Sequence, residues 1–577
     1  MKYVLTALLC CVLSVAWASE FDGYQYIYPK PHSTRVSPQA TVILRFDTIS
    51  PRQVKDLPNL ISVSDNNGSI AGRTRSASDD NTIIFEPKTA FAPGAQITVR
   101  VNPDFESNHS IAAIEYSFDV TTSETVTSDS SPQDEQSYTE SQTLNKAAAG
   151  LPQIMPNGVS VPGDFPHINV TINESPGDGY IFLNNRGRGT PYNIIFDNDG
   201  SPVWYLRTSD RRRDFKVQRN GTITMLARDG GHRFLNFDEN FNFLREYSAV
   251  DGYDTDEHEC MIAENGNVLL IGRRQENVDM SRYVSGGQKN ATVRETIIQE
   301  FTAEQDKIFE WRAWDYFEDV LEDLQLEDLR GGYIRFPHMN AIDIDYDGHL
   351  LLSSRHLSEV TKIHRQTGDM IWRLGGPANE FTFVNDDLDG FQNQHAVLSL
   401  GNNHYTVFDN GTSRNPKVSR GVEYVLDVEK NTATLVWEYR NPPGTEYSHY
   451  MGNHQRLPNG NSLINWAVTS RPKATEVTPD GQVVYEMNWA SGDECYRTFR
   501  CPWNGVVETP SLYVEQMLNE VYLVFNKFGD SDVEYYNIYG GTSPRATTVL
   551  DTSKKTLKRL TNLQNNKRYY VRVTAVY

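Results

Sequence analysis

Residues 151–505 repeat one pattern of short apolar segments, and this repeat restricts the possible folds more than any other feature of the chain. Each unit has an apolar segment, an Asn-Gly or Asp-Gly turn or a close variant of it, and a second apolar segment, as in "HECMIAENGNVLLIGRR" and "HMNAIDIDYDGHLLLSSRH". A later segment of the unit ends in aromatic and charged residues. Asn-Gly or Asp-Gly between such runs is the strongest short signal for a β-hairpin. The pattern therefore predicts a series of hairpins.

Six such units follow one another at a spacing of roughly 40 residues, which is typical of the blades of β-propellers. Four-stranded units of this kind protect their edge strands by closing into a ring. No long amphipathic helix interrupts the series, apart from one candidate at "WDYFEDVLEDLQLEDL". We therefore predict an all-β protein with a six-bladed β-propeller over residues 151–505.

The segments on either side of the repeat predict two further β domains. Residues 19–120 carry short alternating runs such as "ATVILRFD" and "AQITVRVNP", which indicate an Ig-like β-sandwich. Residues 121–150 contain few large apolar side chains and are expected to form a polar, disordered linker. Residues 506–577, which end in "YYVRVTAVY", resemble a fibronectin type III module.

The first residues, "MKYVLTALLCCVLSVAWASE", have the composition of a secretory signal peptide. One Lys precedes an apolar stretch, and Ala-Trp-Ala stands before Ser19, so we expect cleavage after Ala18. No later segment approaches eighteen unbroken apolar residues, the length that would indicate a membrane span. The sequence predicts an exported protein, secreted or periplasmic, without a membrane span.

Removal of residues 1–18 leaves three of the five cysteines. Cys495 and Cys501 frame "CYRTFRC", a spacing that suits a local disulfide in an oxidising compartment. Cys260 is then left over and is expected to be a small buried hydrophobe. Asn-x-Ser/Thr sequons would accept glycans in a eukaryotic host. They lie at Asn67, Asn108, Asn169, Asn220, Asn290 and Asn410.

The formal net charge of −21 is spread along the chain. Such acidity argues against nucleic acid or an anionic membrane as the partner. A site that binds an anion in this protein must therefore create its own local positive field.

Histidine occurs at the same phase in four of the six units, just before the first strand. These residues are His258, His338, His395 and His454. Equivalent positions of propeller blades face one end or the central channel, so we expect these side chains to meet around one axis. Asn340 and Arg355 lie at the margins of the hairpin that follows His338 and are expected to join them. His454 lacks polar companions and is interpreted as a structural histidine.

Two kinds of ligand suit such a group. Three histidines could hold zinc, and Asp256 and Glu257 beside His258 would support that interpretation. Arg355 argues against it, because a guanidinium repels a dication. An arginine, an asparagine amide and several imidazoles suit a tetrahedral oxyanion, which arginine can bind through two oxygens.

Four motifs together resemble the arylsulfotransferase family, whose exported members do not use a nucleotide sulfate donor. They are "DEHECMIAENGNVLLIG", "FPHMNAIDIDYDGHLLLSSRH", "TGDMIWRLGG" and "GFQNQHAV", within about residues 160–490. The resemblance implies a six-bladed propeller that passes a sulfuryl group from a phenolic sulfate ester to a second phenol. It also implies that the nucleophile is His395 of "NQHAV", and that no metal or cofactor takes part.

The same resemblance implies that His258, His338, Asn340 and Arg355 surround the sulfate. Arg355 and Asn340 would hold the non-bridging oxygens. Either His258 or His338 would protonate the departing phenolate and later accept the proton of the incoming phenol.

Two alternatives remain open at this stage. One is a non-catalytic secreted propeller that binds glycans or proteins, and the other is a hydrolase that gives the sulfuryl group to water. Tyr447, Tyr450 and Trp466 could stack on an aryl ring, but aromatic residues near blade ends more often pack in the core.

Overall fold

The computed structural model describes residues 21–577 except 48, 105–110, 123–149, 187–188, 319–320, 323–326, 441–446, 470–471, 490–493, 518–519 and 565. The predicted signal peptide and most of the predicted linker therefore lie outside the described residues. The described chain consists mainly of β-strands in antiparallel pairs, which confirms the all-β prediction. It divides into two compact units, residues 1–132 with 248–379 and residues 133–247 with 380–577.

The first unit begins with two four-stranded sheets in the orders β1-β2-β6-β5 and β4-β3-β7-β8. Their strands are β1 (Tyr24–Tyr28), β2 (Val42–Phe46), β3 (Ile61–Asp65), β4 (Gly68–Ile70), β5 (Gly72–Ser76), β6 (Thr82–Pro87), β7 (Gln96–Val101) and β8 (Ile114–Asp119). Short 3-10 turns lie at Pro51–Gln53 and Leu57–Asn59. We call these two sheets the N-terminal sandwich.

Two further sheets complete the first unit, in the orders β19-β20-β21-β22 and β24-β25-β26-β27. Their strands are β19 (Asp254–Ile262), β20 (Val268–Val278), β21 (Ala291–Phe301), β22 (Lys307–Arg312), β24 (Met339–Ile344), β25 (Leu350–Ser354), β26 (Glu359–Ile363) and β27 (Met370–Gly375). Strand β23 (Tyr333–Phe336) pairs in parallel with β21.

One apolar cluster runs through both parts of the first unit. Ile43 and Val99 of the N-terminal sandwich belong to the same buried cluster as Ile271 and Leu352. Polar contacts accompany it, since the Tyr26 hydroxyl donates to the Glu310 carbonyl oxygen at 2.6 Å. The N-terminal sandwich is thus packed into the core of its unit.

The second unit contains four sheets of the repeat, in the orders β14-β13-β12-β37, β15-β16-β17-β18, β28-β32-β31-β30-β29 and β11-β36-β35-β34-β33. The first nine of these strands are β11 (Ile168–Asn173), β12 (Tyr180–Asn184), β13 (Tyr192–Phe196), β14 (Pro202–Arg207), β15 (Arg213–Val217), β16 (Ile223–Ala227), β17 (Arg233–Phe237), β18 (Phe243–Tyr247) and β28 (Thr382–Val384). The others are β29 (His395–Gly401), β30 (His404–Asp409), β31 (Arg420–Asp427), β32 (Thr432–Arg440), β33 (Asn453–Arg456), β34 (Ser462–Asn465), β35 (Ala474–Val477), β36 (Val483–Trp489) and β37 (Thr498–Cys501).

Two pairings in the second unit join strands that are far apart in sequence. The late strand β37 pairs with β12, and the early strand β11 pairs with β36. The succession of antiparallel sheets, each made largely from one sequence repeat, is consistent with a β-propeller-like all-β fold.

The last residues form two three-stranded sheets in the orders β38-β39-β42 and β41-β40-β43. Their strands are β38 (Ser511–Met517), β39 (Glu520–Asn526), β40 (Tyr535–Gly541), β41 (Val549–Ser553), β42 (Leu557–Leu560) and β43 (Tyr570–Val576). Strands β9 (Gln153–Ile154) and β10 (Ser160–Val161) form a small ladder. Ser160 of β10 donates its backbone N–H to Asn526 Oδ1 at 2.8 Å, which ties this ladder to β39.

The glycines of the Asn-Gly and Asp-Gly turns explain why the repeat is visible in the sequence. Gly266 between β19 and β20 has φ +86°, and Gly348 between β24 and β25 has φ +84°. Backbone with positive φ is costly for residues that carry a Cβ, so glycine marks each hairpin.

Two sequence predictions are corrected by the structure. The helix candidate after β22 contains only one described α-helical turn, α1 (Trp314–Phe317), followed by a 3-10 turn at Glu327–Arg330. The predicted disulfide is wrong, because Cys495 and Cys501 are both free. The Sγ atom of Cys495 instead lies 3.3 Å from the Thr498 hydroxyl, while Cys501 ends strand β37. Cys260 is buried as expected.

Candidate active-site residues

The four histidines of the repeat occupy equivalent places in four sheets. His258 lies in β19, His338 directly precedes β24, His395 begins β29 and His454 lies in β33. Each of these strands is the outermost one on its side of the sheet. All four side chains are nevertheless buried. The common phase seen in the sequence thus places each histidine in or directly before an edge strand, in a buried position.

Irregular strand pairing accompanies three of the predicted site residues. The register between β19 and β20 shifts between Thr255 and Cys260, the interval that contains His258. A second shift falls at Asn340 in β24, and a third begins at His395 in β29. Such β-bulges change the direction of a side chain and are frequent next to active sites.

His258 is held by a buried carboxylate. Its Nδ1 lies 2.5 Å from Asp256 Oδ1, and its backbone N–H donates to the same oxygen at 3.0 Å. The second oxygen of Asp256 accepts from Arg294 Nη2 at 3.0 Å. A carboxylate only accepts hydrogen bonds, so Nδ1 of His258 carries a proton. Asp256 was considered from sequence only as a metal ligand, but here it orients an imidazole.

The charge on Asp256 is secured by its partners. Burial alone would raise the pKa of Asp256, but the charge and hydrogen bond of His258 and the charge of Arg294 outweigh burial and hold that pKa far below its ordinary value. Asp256 is therefore ionised at neutral pH and stabilises a positive charge on His258.

His338 is held by a second histidine. Its Nδ1 lies 3.0 Å from His356 Nε2, and Nδ1 of His356 lies 3.0 Å from the carbonyl oxygen of Arg335. Because that carbonyl only accepts, neutral His356 donates from Nδ1 and accepts at Nε2. His338 then donates from Nδ1, which leaves its Nε2 as the basic nitrogen.

The surroundings of His338 favour its neutral form. Burial lowers the pKa of His338 well below its ordinary value, and the nearby basic groups of His356, Arg335, His258 and Arg355 lower it further. The guanidinium groups of Arg335 and Arg355 near this ring supply the local positive field that an anion site in an acidic protein requires.

Within the first unit, the structure brings several predicted residues together. The rings of His258 and His338 are 5.2 Å apart between centroids. The backbone N–H of Arg355 donates to the His338 carbonyl oxygen at 3.0 Å. Asn340 is fully buried two residues after His338.

His395 belongs to the second unit and is held by an asparagine. Its Nδ1 lies 2.7 Å from Asn410 Oδ1, and its Nε2 accepts from the backbone N–H of Met451 at 3.2 Å. The amide nitrogen of Asn410 donates to the carbonyl oxygens of Ser448 at 2.7 Å and Met451 at 3.0 Å.

Sequence reasoning missed the role of Asn410. It was interpreted as a glycan acceptor, but the side chain is fully buried and its nitrogen donates to two carbonyl oxygens, so that interpretation is wrong for the folded protein. The sequons at Asn67, Asn169, Asn220 and Asn290 are exposed, and Asn108 lies outside the described residues. No short motif joins His395 to Asn410, because Asn410 comes directly after the next strand, β30.

His454 agrees with its structural interpretation. Its Nδ1 lies 3.2 Å from the Val422 carbonyl oxygen and its Nε2 lies 2.8 Å from the Ser462 hydroxyl. Burial, together with the charge of Arg456, lowers its pKa to about 3.

The aromatic candidates divide into two groups. Tyr450 and Trp466 are buried, and their polar atoms donate to Glu494 at 2.7 Å and Thr475 at 3.0 Å. Tyr447 is more accessible, with the Lys417 ammonium 5.0 Å from its ring centre.

Among the described residues, no group of three or more His, Cys, Asp or Glu side chains is arranged to hold a metal ion. In the same residues, no helix is long and apolar enough to cross a membrane.

Fold and site together define an all-β protein of repeated antiparallel sheets with buried histidines, each oriented by a polar partner. The family model described as Arylsulfotransferase (ASST) matches residues 169–500, more than half of the chain. The chain belongs to the arylsulfotransferase family, which confirms the resemblance seen in the four motifs.

Two curated relatives carry the name arylsulfate sulfotransferase AssT. The one from Escherichia coli O6:H1 is 26% identical over 335 residues, 44% of this chain and 54% of the relative. The one from Lelliottia amnigena is 22% identical over 333 residues, with the same shares. The chain therefore spans about half the length of these relatives.

Solved structures show a weaker likeness. A protein of unknown function from Bacteroides caccae has a TM-score of 0.34 at 14% identity, covering 56% of this chain and 98% of that one. A streptogramin B lyase has a TM-score of 0.31 at 9% identity, covering 62% and 94%.

Proposed function

We propose that this protein is an aryl sulfotransferase that moves a sulfuryl group from a phenolic sulfate ester to a second phenol, with His395 as the carrier and no nucleotide donor. The family match over residues 169–500 carries the proposal, because that segment contains His258, His338, Asn340, Arg355 and His395.

In the first half-reaction, the Nε2 lone pair of His395 forms a bond to sulfur. The bond between sulfur and the aryl oxygen breaks, and its electron pair stays on the phenolate. Phenols leave readily because their pKa is about 10. His258 gives the phenolate a proton, and the Asp256 carboxylate makes it the better proton carrier of the two candidates.

In the second half-reaction, the acceptor phenol attacks sulfur and gives its proton to His258. The N–S bond breaks and its electron pair returns to Nε2 of His395. Donor and acceptor phenols therefore use the enzyme in turn, which is the ping-pong pattern expected of a covalent intermediate.

Arg355 and Asn340 are proposed to bind the non-bridging oxygens of the sulfuryl group, with His338 as a neutral ring beside them. A guanidinium can contact two oxygens at once, and preorganised donors stabilise charge without rearrangement during the reaction. The depressed pKa of His338 supports giving the proton transfer to His258, because a ring that stays neutral carries no second proton for the phenolate.

We further propose a six-bladed propeller with an Ig-like domain at residues 19–120 and a fibronectin type III-like domain at residues 506–577. The strand pairs β12–β37 and β11–β36 support a closed ring. The N-terminal sequence supports export, either secretion or delivery to the periplasm. Small phenolic compounds, rather than nucleic acid, are the proposed partners.

The test is phenol-dependent release of dye from a chromogenic aryl sulfate. Wild-type protein should release dye only with phenol present, beyond a first equivalent, and His395→Ala should abolish release. His404→Ala, a partly exposed histidine on β30, is the matched control and should retain activity. Sustained release without phenol would instead indicate a hydrolase, and no release by wild type would favour a binding protein.

A covalent carrier makes a second prediction that a direct transfer does not. Wild-type protein mixed with aryl sulfate alone should gain the mass of one SO₃ group, on the peptide that contains His395. Double-reciprocal plots at several phenol concentrations should be parallel. Intersecting lines without the mass gain would contradict the sulfohistidine mechanism.

A further inference from the structure

We infer that Asn410 is a positioning residue that keeps a proton on Nδ1 of His395 throughout the reaction, and that its neutral amide keeps the bound sulfuryl group transferable. This inference rests on the proposed function. It gives a role to Asn410, which lies outside the four motifs that resemble the family.

The orientation of the Asn410 amide is fixed by its neighbours. Its nitrogen faces two carbonyl oxygens, those of Ser448 and Met451. Carbonyl oxygens only accept hydrogen bonds, so the NH₂ group must point at them and Oδ1 must point at His395. The side chain is fully buried, which makes the reversed orientation costly, because it would oppose oxygen to oxygen.

This orientation determines which nitrogen of His395 is nucleophilic. Oδ1 of Asn410, 2.7 Å from Nδ1, can only accept, so Nδ1 carries the proton. The Met451 N–H, which donates to Nε2 at 3.2 Å, indicates the same tautomer from the other side of the ring. Nε2 therefore carries the lone pair, which accepts from the Met451 N–H here and gives up that hydrogen bond when it bonds to sulfur.

The amide has a second consequence once sulfur is bound. With SO₃ on Nε2 and hydrogen on Nδ1, the ring is an imidazolium, and the group released in the second half-reaction is neutral imidazole. A carboxylate beside Nδ1 could remove that proton and leave imidazolate, a far stronger base and a poorer leaving group. Asn410 cannot accept a proton near neutral pH, so the intermediate stays reactive.

His258 in the first unit has a charged partner at the nitrogen where His395 has a neutral amide. His258 has a carboxylate partner, Asp256, at the same ring nitrogen. A carboxylate stabilises the imidazolium that forms when a histidine takes up a proton. The chain thus pairs its proposed proton carrier with an acid and its proposed nucleophile with an amide.

The discriminating variant is Asn410→Asp, and Asn465→Asp is its matched control. Asn465 is also fully buried, and its nitrogen donates to the carbonyl oxygens of Cys495 at 3.3 Å and Tyr496 at 3.2 Å. Its Oδ1 accepts from the Ala467 N–H at 3.1 Å rather than from an imidazole. Both variants place an acid against two carbonyl oxygens, so they share the cost to folding.

We expect Asn410→Asp to keep the first burst of phenolate while steady-state turnover falls by about tenfold or more, because the sulfohistidine accumulates. Raising the pH should deepen this loss as the introduced carboxyl group ionises. Asn465→Asp should keep the wild-type ratio of burst to turnover at every pH. An unchanged ratio in Asn410→Asp, or the same change in both variants, would overturn the inference.

A measurement without substrate separates this inference from the proposed function. In ¹⁵N-histidine NMR spectra, the signal lost in His395→Ala should show the Nδ1–H tautomer in wild type and a mixture of tautomers in Asn410→Ala. An Nε2–H tautomer in wild type would refute the inference even if the enzyme transfers sulfate. The Nδ1–H tautomer in a protein without transferase activity would support the positioning role and refute the proposed function.

Discussion

Glu276 of β20 connects this strand to the N-terminal sandwich within the first unit, and a substitution there tests the connection. Its side chain is 2% exposed and accepts from Arg35 Nε at 2.8 Å and from Arg274 Nη2 at 3.3 Å. The Thr121 hydroxyl donates to its other oxygen. Arg35, which precedes β2, also lies over the ring of Trp314 at 3.8 Å. The carboxylate therefore connects the sandwich to the following sheets.

Replacing Glu276 with Gln keeps the shape of the side chain but removes the charge that faces two buried guanidinium groups. Breaking a buried ion pair from one side costs about 3–5 kcal/mol, because the remaining charge stays desolvated. Since about 1.4 kcal/mol corresponds to a factor of ten, local opening should become more frequent by a factor of about 10² to 4 × 10³.

The effect should depend on pH with a definite sign. Burial would raise the pKa of Glu276, but the charges of Arg35 and Arg274, with the Thr121 hydrogen bond, outweigh it and lower that pKa below the ordinary value of 4.5. A carboxyl group of this kind stabilises the fold above its unfolded-state pKa, and the contribution disappears as the pH falls through the folded-state pKa. The gap between wild type and variant should therefore be full at neutral pH and close in acid.

Hydrogen exchange with mass spectrometry measures this locally, which suits a chain of several domains. Peptides covering β2 and β20 should exchange faster in Glu276→Gln, whereas peptides from β40 in the second unit serve as reference. Glu115→Gln is the control, since its pair with Arg100 is exposed on the same sandwich and should leave exchange unchanged. Less than about a fivefold change at neutral pH, or a gap that widens in acid, would refute the buried ion-pair argument.

Further predictions concern the histidine partners and the surface. Asp256→Asn should lower kcat by about 10²-fold or more, because the amide does not stabilise the charged form of His258; an unchanged kcat would contradict its proton-carrying role. His356→Ala should lower kcat by freeing the His338 tautomer, and His356→Gln, whose amide oxygen can accept from Nδ1, should partly restore it; equal losses would contradict the relay. After alkylation in denaturant without reductant, mass spectrometry should show that Cys260, Cys495 and Cys501 are all labelled. A disulfide between Cys495 and Cys501 would leave both unlabelled. In a eukaryotic secretory host, Asn410 should carry no glycan in the native protein; glycopeptide mapping would detect the contrary.

Strand positions could be predicted from the sequence because each hairpin needs glycine at a positive φ and an alternation of buried side chains. Gly266 and Gly348 mark such turns, and the six units fall on the strands of the repeat sheets. The disulfide could not be judged in this way. Cysteine spacing carries no information on side-chain direction. Both cysteines are free, and Cys495 precedes β37 whereas Cys501 is its last residue.

The candidate site was only partly predictable for a related reason. The phase of the repeat identified the histidines, but the strand register shifts at His258, Asn340 and His395, which interrupts the regular alternation. A bulge is one extra residue in a ladder, and a single sequence shows no register against which to count it. Asn410 was missed because its sequon suggested a surface position, whereas three hydrogen bonds hold it in the interior.

The four repeat histidines show that the partner, rather than the repeat position, determines the chemistry of each imidazole. Nδ1 contacts a carboxylate in His258, a second imidazole in His338, an amide in His395 and a backbone carbonyl in His454. A carboxylate stabilises a charged ring, and an amide fixes a neutral tautomer without accepting its proton. An imidazole among guanidinium groups keeps its neighbour neutral, and a backbone carbonyl with the Ser462 hydroxyl fixes His454 at both nitrogens. One residue type repeated at one phase can therefore take the proposed roles of proton carrier, neutral ring in an anion site, nucleophile and structural support, because neighbouring strands supply a different partner each time.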